Sequence, residues 1–411
     1  MLLPVSEVRQ RLLDALSPTG ITRVSTTEAY GSVLGEDVLA QYDAPSFSNS
    51  AMDGFAVYAA DVAVATKDTP VILEVAGDIP AGSVQKTSLK AGQAHRIMTG
   101  APMPDGADTV VPVEETDFNY RDLEAQLPEN VAIFSPSVSG QYVRPRGEDF
   151  KQGEPLLKKG QRIRPQDIGM LAMMGMSAVA VYEKPRVVVM STGDELLPID
   201  ADLTPGKIRD TNTYTLSALI EAAGGEIVRL GIVPDRFEIV KQRLDEAAES
   251  DVNLIVSSAG VSVGAFDFVR AVVEEYGELN FWRVNMRPGK PLAFGSYRGI
   301  PFMGLPGNPV SAFAGFEVFL RPALYKLAGQ VNWERPVMQA TLREDVESDG
   351  RETYLRAQIN QENNRMFARL TGHQGSGNLY SLVRANGLIV IPAGVKRISA
   401  GEQVTVWLLD R

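Results

Sequence analysis

The chain contains no cysteine and only two histidines, His95 and His373. The first absence excludes disulfides, thiolate metal centres and a cysteine nucleophile. With neither histidine set at a metal-ligand spacing, a multi-histidine zinc site and a Ser-His-Asp hydrolase lack their parts, and both residues read as structural or surface groups. Positive charge is also scarce: 40 Lys and Arg face 51 Asp and Glu, a formal net charge of −11. That balance disfavours sequence-independent nucleic-acid binding, which needs a basic face against phosphate. No apolar run approaches the roughly 18 residues of a membrane span. The start, Met1-Leu2-Leu3-Pro4-Val5-Ser6-Glu7, lacks a basic segment followed by an apolar one. The expectation is a soluble, cytoplasmic protein without nucleic-acid or membrane partners. Its chemistry must rest on carboxylates, Lys and Arg, hydroxyls and backbone, helped by a hard metal ion.

What is present supports packed cores. At 411 residues and 44% hydrophobic composition, about two to four domains fit. Val5, Val8, Leu12, Leu13 and Leu16 share one helical face behind Ser6, a candidate N-cap, and a second short helical stretch is predicted near Glu28 to Leu34. From 43 to 139, short β-like runs such as Val71 to Val75 alternate with Gly and Pro turns, predicting a β-rich domain. Residues 1–42 with 140–183 form an N-terminal helical and linker domain, which includes a helix from Pro165 to Gly175. Over 184–328 the pattern alternates: strand Arg186 to Met190, helix Thr211 to Ala223, strand Glu226 to Val233, helix Arg236 to Ala248, strand Val252 to Ser257, helix Phe266 to Tyr276, strand Pro301 to Met303 and helix Pro309 to Leu327. This predicts a doubly wound α/β domain with a parallel sheet. Residues 329–411 read as purely β, a small C-terminal barrel-like domain. The fold class expected is therefore α/β plus β in a multidomain subunit.

Three glycine-bearing turns fall in the α/β region: Ser191 to Leu196, Ser257 to Gly264 and Gly304 to Ser311. Each follows an apolar run and precedes a helical pattern, where outward backbone N–H groups favour phosphate or oxyanion. Ligands of such sheets lie beyond the carboxyl ends of the strands. Asp194, Glu195, Asp235 and Asp267 follow predicted strands on that side. They suit Mg²⁺, which takes one or two carboxylates plus phosphate oxygens, or they simply cap helices. Arg287-Pro288-Gly289-Lys290-Pro291 sets two cations across a stiffened turn, either an anion contact or a solvated basic loop. Arg351 and Arg356 bracket a strand start, and Thr371 to Gly377 is either a hydroxyl-bearing site loop or a hairpin loop.

Nine ordered segments decide between these readings: Ser50-Ala51-Met52-Asp53-Gly54-Phe55-Ala56, Ile97-Met98-Thr99-Gly100-Ala101-Pro102, Arg146-Gly147-Glu148-Asp149, Ser191-Thr192-Gly193-Asp194-Glu195-Leu196, Asp210-Thr211-Asn212, the turn at 257–264 with Asp267, Pro288-Gly289-Lys290-Pro291, Leu305-Pro306-Gly307-Asn308-Pro309-Val310-Ser311 and Gly372-His373-Gln374-Gly375-Ser376. Together they closely resemble the MoeA family, the molybdopterin molybdenumtransferases, which is related to the C-terminal part of gephyrin. The resemblance spans nearly the whole chain. It implies insertion of molybdate into the dithiolene of adenylylated molybdopterin with release of AMP, by a Mg²⁺-dependent homodimer of elongated subunits. The upstream adenylyltransferase is a further candidate partner.

By the same resemblance Asp53, Thr99, Glu195, Asp235 and Asp267 are catalytic, with Asp53 and Thr99 serving the partner subunit's pocket and Glu195, Asp235 and Asp267 metal-associated. Thr192, Gly193, Asp194, Asp210, Ser262, Arg287, Pro306, Gly307, Pro309 and Ser311 match substrate-binding positions, and Lys290, Pro291, Arg356 and Ser376 match the molybdate site. Ala259 stands where many members carry glycine, Ala265 where an acidic residue is common, and Arg283 and Arg287 where lysine is common. Two other functions fit parts of the pattern. An adenylyltransferase acting on molybdopterin would share the α/β domain but not the flanking ones. A gephyrin-like scaffold would need a fused N-terminal domain and a long linker.

Overall fold

The computed structural model describes residues 2–82, 88–118, 127–260 and 268–409. The chain divides into two compact units: Met1–Glu36, Lys158–Ala172 and Met176–Arg411 form one, and Asp37–Leu157 with Met173–Gly175 the other. Among the described residues no helix is long and apolar enough to cross a membrane.

The larger unit begins with α1 (Val5–Asp14), whose buried stripe is Val5, Val8, Leu12 and Leu13. Pro4, not Ser6, occupies the N-cap, and its carbonyl accepts from the Val8 N–H at 3.2 Å. The helix expected near Glu28 to Leu34 is absent. A single 3₁₀ turn (Thr26–Glu28) is followed by Gly31 at φ 78°, after which Val33 and Leu34 form β-bridges to Arg162 and Val181.

The α/β part runs β1 (Arg186–Thr192), α2 (Asn212–Ala222), β2 (Glu226–Val233), α3 (Phe237–Glu249), β3 (Leu254–Ser258), α4 (Phe268–Tyr276), β4 (Gly277–Arg283), β5 (Pro291–Tyr297), β6 (Ile300–Leu305) and α5 (Pro309–Gly315). The sheet order is β2-β1-β3-β6-β5-β4. Its first four strands are parallel, but β5 and β4 are antiparallel additions, so the sheet is mixed rather than wholly parallel. Successive residues of β1 point to opposite faces. Val187 and Val189 pack with α1 and α2, while Val188 and Met190 pack with α3 and α4, which makes the sheet doubly wound.

The helix expected from Pro309 to Leu327 is interrupted by a π segment (Phe316–Leu320) before α6 (Arg321–Leu327). Pro322 has no N–H to return to the preceding turn, which favours such a widening. Beyond it, β7 (Val337–Leu342), β8 (Glu352–Glu362), β9 (Arg365–Leu370), β10 (Gly387–Ile391) and β11 (Gln403–Leu408) close into a five-stranded barrel. This region is not purely β, because α7 (Leu379–Val383) sits between β9 and β10. The short strand Met286–Arg287 pairs with β8 and so stitches the basic turn to the barrel.

The smaller unit holds a five-stranded sheet in the order Thr109–Pro112, Gly54–Val57, Gln93–Ile97, Val71–Ile79, Asn130–Ile133. Phe55, Val57, Leu73, Ala94, Val111 and Val131 form its core.

Candidate functional site

In the sheet register Ser191 lies beside Ser258, and Ser258 beside Leu305. The carboxyl ends of β1, β3 and β6 are therefore adjacent, and the turns that follow them form the wall of one cleft of about 760 Å³. That volume falls within the ordinary range for small-molecule sites. Thr192, Gly193 and Glu195 come from the first turn, Ser258, Ala259 and Gly260 from the second, and Pro306, Gly307 and Pro309 from the third. Asp235 after β2, Asp210 before α2, Pro291 at the start of β5, and Gly377 with Leu379 from the barrel complete much of the wall.

Two local readings change. The 191–196 turn leads not into a helix but into a small parallel pair, Leu196–Leu197 with Ile208–Arg209, and α2 starts only at Asn212. The Thr371 to Gly377 segment is no hairpin loop, since it joins β9 to α7.

Asp210 is buried, and its Oδ1 accepts from Ser191 Oγ at 3.1 Å, the Asn212 N–H at 3.0 Å and the Thr213 N–H at 3.1 Å. It caps α2 and fixes the first turn against it. The Asp194 carboxylate accepts the Asp235 N–H at 3.2 Å, so it orders the rim. Glu195 and Asp235 are among the residues lining the cleft. Ser262 and Asp267, with Ala265, lie outside the described residues. Among the described residues no group of three acidic or histidine side chains is gathered that could hold a metal. Two carboxylates still fit Mg²⁺, which commonly completes its shell with phosphate oxygens and water.

Ala259 adopts φ 74°, the left-handed region that glycine would take without a penalty. Its methyl faces Gly307, where an added Cβ would come within 3.0 Å of it. Gly260 follows at φ 72°, and a Cβ there would sit 2.8 Å from Thr192 Oγ1. That hydroxyl is buried and has no hydrogen-bond partner among the described residues.

Of the expected oxyanion set, only Pro291 is in the cleft wall itself. Lys290 is exposed, and its carbonyl accepts the Val284 N–H at 2.8 Å. Ser376 is half-buried, and its carbonyl takes the Val310 N–H at 3.0 Å, tying the barrel loop to α5. Ser311 is buried in α5. Arg356 is 1% exposed. Its Nε donates to Ser381 Oγ at 3.0 Å and its guanidinium to the Gly375 carbonyl at 3.0 Å, two residues from Gly377 in the wall. No carboxylate pairs with it among the described residues. Burial, with repulsion from Arg287, pushes its pKa down to about 10. It therefore remains a cation at neutral pH in surroundings that favour an added anion. Arg287 itself is exposed and lies 3.9 Å from Asp349.

Asp53 and Thr99 lie in the smaller unit and are bonded to each other. The Thr99 N–H and Oγ1 both donate to Asp53 Oδ1 at 2.7 Å. The two segments meet because the Gly100 N–H donates to the Ser50 carbonyl at 2.8 Å and the Ser50 N–H to the Ala101 carbonyl at 3.0 Å.

Sequence reasoning passed over Asn212, Ser258 and Arg209 as wall residues. Arg209 is anchored by the Ile199 and Ala201 carbonyls at 3.1 and 3.0 Å. Asn212 had a signal, a polar residue two places after a capping aspartate at a helix start.

Comparison with known proteins covers nearly the whole chain. Residues 3–175 match the model of the MoeA N-terminal region (domain I and II), 188–326 that of a probable molybdopterin binding domain, and 339–409 that of the MoeA C-terminal region (domain IV). The chain is 39% identical over 394 residues to molybdopterin molybdenumtransferase 2 of Mycobacterium tuberculosis, covering 93% of this chain and 94% of that one. To the molybdopterin molybdenumtransferase of Haemophilus influenzae it is 36% identical over 414 residues, covering 98% of each. The crystal structure of the molybdopterin biosynthesis moeA protein from Pyrococcus horikoshii superposes with a TM-score of 0.85 at 31% identity, covering 100% of both chains.

Proposed function

The chain belongs to the MoeA family, and from that premise we propose that it acts in molybdenum cofactor biosynthesis as a molybdopterin molybdenumtransferase, inserting molybdate into the dithiolene of adenylylated molybdopterin and releasing AMP. One observation carries the reading. A cleft walled by three strand-end turns, with Glu195 and Asp235 among its lining residues, is joined at Gly377 to a barrel loop whose Gly375 carbonyl accepts from the buried Arg356 guanidinium, which has no acidic partner among the described residues.

Each part has a chemical task. The glycine-bearing turns offer backbone N–H groups to the phosphoanhydride. Pro306 and Pro309 give the floor a stiff apolar surface. Arg356, with Lys290 and Arg287, supplies charge-assisted hydrogen bonds to an oxyanion. Glu195 and Asp235 are the residues that would hold Mg²⁺, which when bound neutralises charge developing on the phosphates. Cleavage of the anhydride then needs no histidine base and no covalent nucleophile. The homodimer, and the service of Asp53 and Thr99 to a partner's cleft, belong to the same proposal and rest on the family resemblance.

The test incubates the purified protein with adenylylated molybdopterin, Mg²⁺ and molybdate and follows AMP by chromatography. AMP release that depends on molybdate is expected. Its absence would overturn this reading, and ATP consumption with molybdopterin in a parallel incubation without molybdate would replace it with an adenylyltransferase.

A further inference from the structure

Asn212, the first residue of α2, is 8% exposed and stands in the cleft wall. Its Nδ2 lies 2.7 Å from Ser258 Oγ and 2.7 Å from the Gly307 carbonyl. A carbonyl can only accept, so the atom facing Gly307 is the amide nitrogen, and both of its hydrogens are used. This locks the amide plane between the end of β3 and the third turn. The remaining polar atom, Oδ1, accepts no hydrogen bond from any described residue, yet it is not sealed as a buried orphan. It is the atom that this side chain leaves open to the cleft.

We infer that Asn212 is a specificity-determining residue whose carbonyl oxygen accepts a hydrogen bond from a neutral donor on the organic part of the substrate. The inference rests on the assignment of the cleft to adenylylated molybdopterin. An amide oxygen whose own N–H groups are both donated is polarised toward accepting. The same oxygen repels phosphate and oxyanion, so it cannot belong to the charge-binding part of the site. Its ligand is an amino group, a ring N–H or a hydroxyl, carried either by the nucleotide or by the pterin. Neither source changes the chemistry at Asn212, and an acceptor held in place discriminates against ligands that cannot donate.

The experiment pairs protein and ligand changes. Calorimetry measures AMP, purine riboside 5′-monophosphate, which lacks the exocyclic amino group, and the 2′- and 3′-deoxy forms of AMP against wild type, Asn212→Ala and Ser258→Ala. If the donor is on the nucleotide, one ligand deletion weakens wild-type binding about three- to tenfold, the worth of one neutral hydrogen bond. Asn212→Ala then weakens AMP by the same factor and makes that deletion silent. Ser258→Ala, which removes one leg of the clamp but keeps the acceptor, retains the discrimination. If the donor is on the pterin, all four nucleotides behave alike, while Asn212→Ala raises KM for adenylylated molybdopterin three- to tenfold with kcat and the molybdate KM unmoved. A loss shared equally by nucleotides, pterin substrate and molybdate, or no loss at all, overturns the inference and leaves Asn212 as a clamp alone. Wild-type protein that neither binds nucleotide nor releases AMP fails the cleft's assignment instead, and Asn212's role with it.

Discussion

Arg356 holds its charge almost wholly out of water on hydrogen bonds to a hydroxyl and a carbonyl, neither of which neutralises it. A guanidinium so placed is costly without an anion, and that cost is what makes it selective for one. Each charge-assisted hydrogen bond is worth about 1.5–3 kcal/mol. Arg356→Ala should therefore weaken molybdate binding roughly ten- to a hundredfold, while AMP affinity changes far less. Parallel titrations of the two ligands decide it. Equal losses, or unchanged molybdate affinity, would remove Arg356 from the oxyanion site. Before the resemblance, the sequence marked Arg356 only as one of two arginines bracketing a strand start, because neither its burial nor its lack of a carboxylate among the described residues can be read from a strand pattern. Ala259 shows the opposite case. Its departure from the family's glycine showed once the resemblance was drawn, and the chain keeps the left-handed turn anyway, with the Ala259 N–H donating to the Leu305 carbonyl at 3.0 Å. One L-residue in that region costs about 1–2 kcal/mol.

At the scale of elements, β1, β3, α2 and α3 were legible because buried parallel strands read as apolar runs and their helices as amphipathic stripes. The antiparallel β4 escaped although Glu278-Leu279-Asn280 alternates, because it starts at Gly277 directly after α4 ends at Tyr276, and β9 was hidden by the charges of Arg365 and Arg369. The site's turns were visible as glycine-bearing strand ends, but the orientation of Asn212 depends on which atom meets Gly307, which no spacing encodes.

The strand Gln93–Ile97 carries another consequence. His95 is buried opposite Gly77 at a register break, and its Nδ1 lacks a partner among the described residues. A Cβ at Gly77 would come within 3.2 Å of the ring, so glycine there makes room for the imidazole. Burial pushes the His95 pKa below its usual 6.5. Above pH 6.5 both folded and unfolded states are neutral and nothing changes. Below it the unfolded chain takes up a proton that the folded strand resists, so stability falls as pH drops toward the folded-state pKa. The slope is up to about 1.4 kcal/mol per pH unit. Protection factors of the Gln93–Ile97 amides, which remove the intrinsic pH dependence of exchange, should fall between pH 6.5 and 5 in wild type and much less in His95→Gln. The same fall in the variant would trace the effect to carboxylates.

For the whole molecule, the two units have separate cores, and the residues matched to catalysis are divided between them: Glu195 and Asp235 in the larger, Asp53 and Thr99 in the smaller. Asp53 and Thr99 form a rigid donor-acceptor pair, yet by physics alone their two segments read as turns, and only the family resemblance marked them as functional. If they serve a partner subunit's cleft, Asp53→Ala and Glu195→Gln are each inactive as pure proteins, but a mixed dimer rebuilds one intact cleft from the two undamaged halves. After equal mixing and subunit exchange, half the dimers are mixed and each has one competent site of two, so activity should recover to about a quarter of wild type. The readout is molybdate-dependent AMP release, with exchange verified by mass spectrometry of differently tagged subunits. Exchange without recovery would show that Asp53 and Glu195 act within one subunit, or that Asp53 does not act at the cleft.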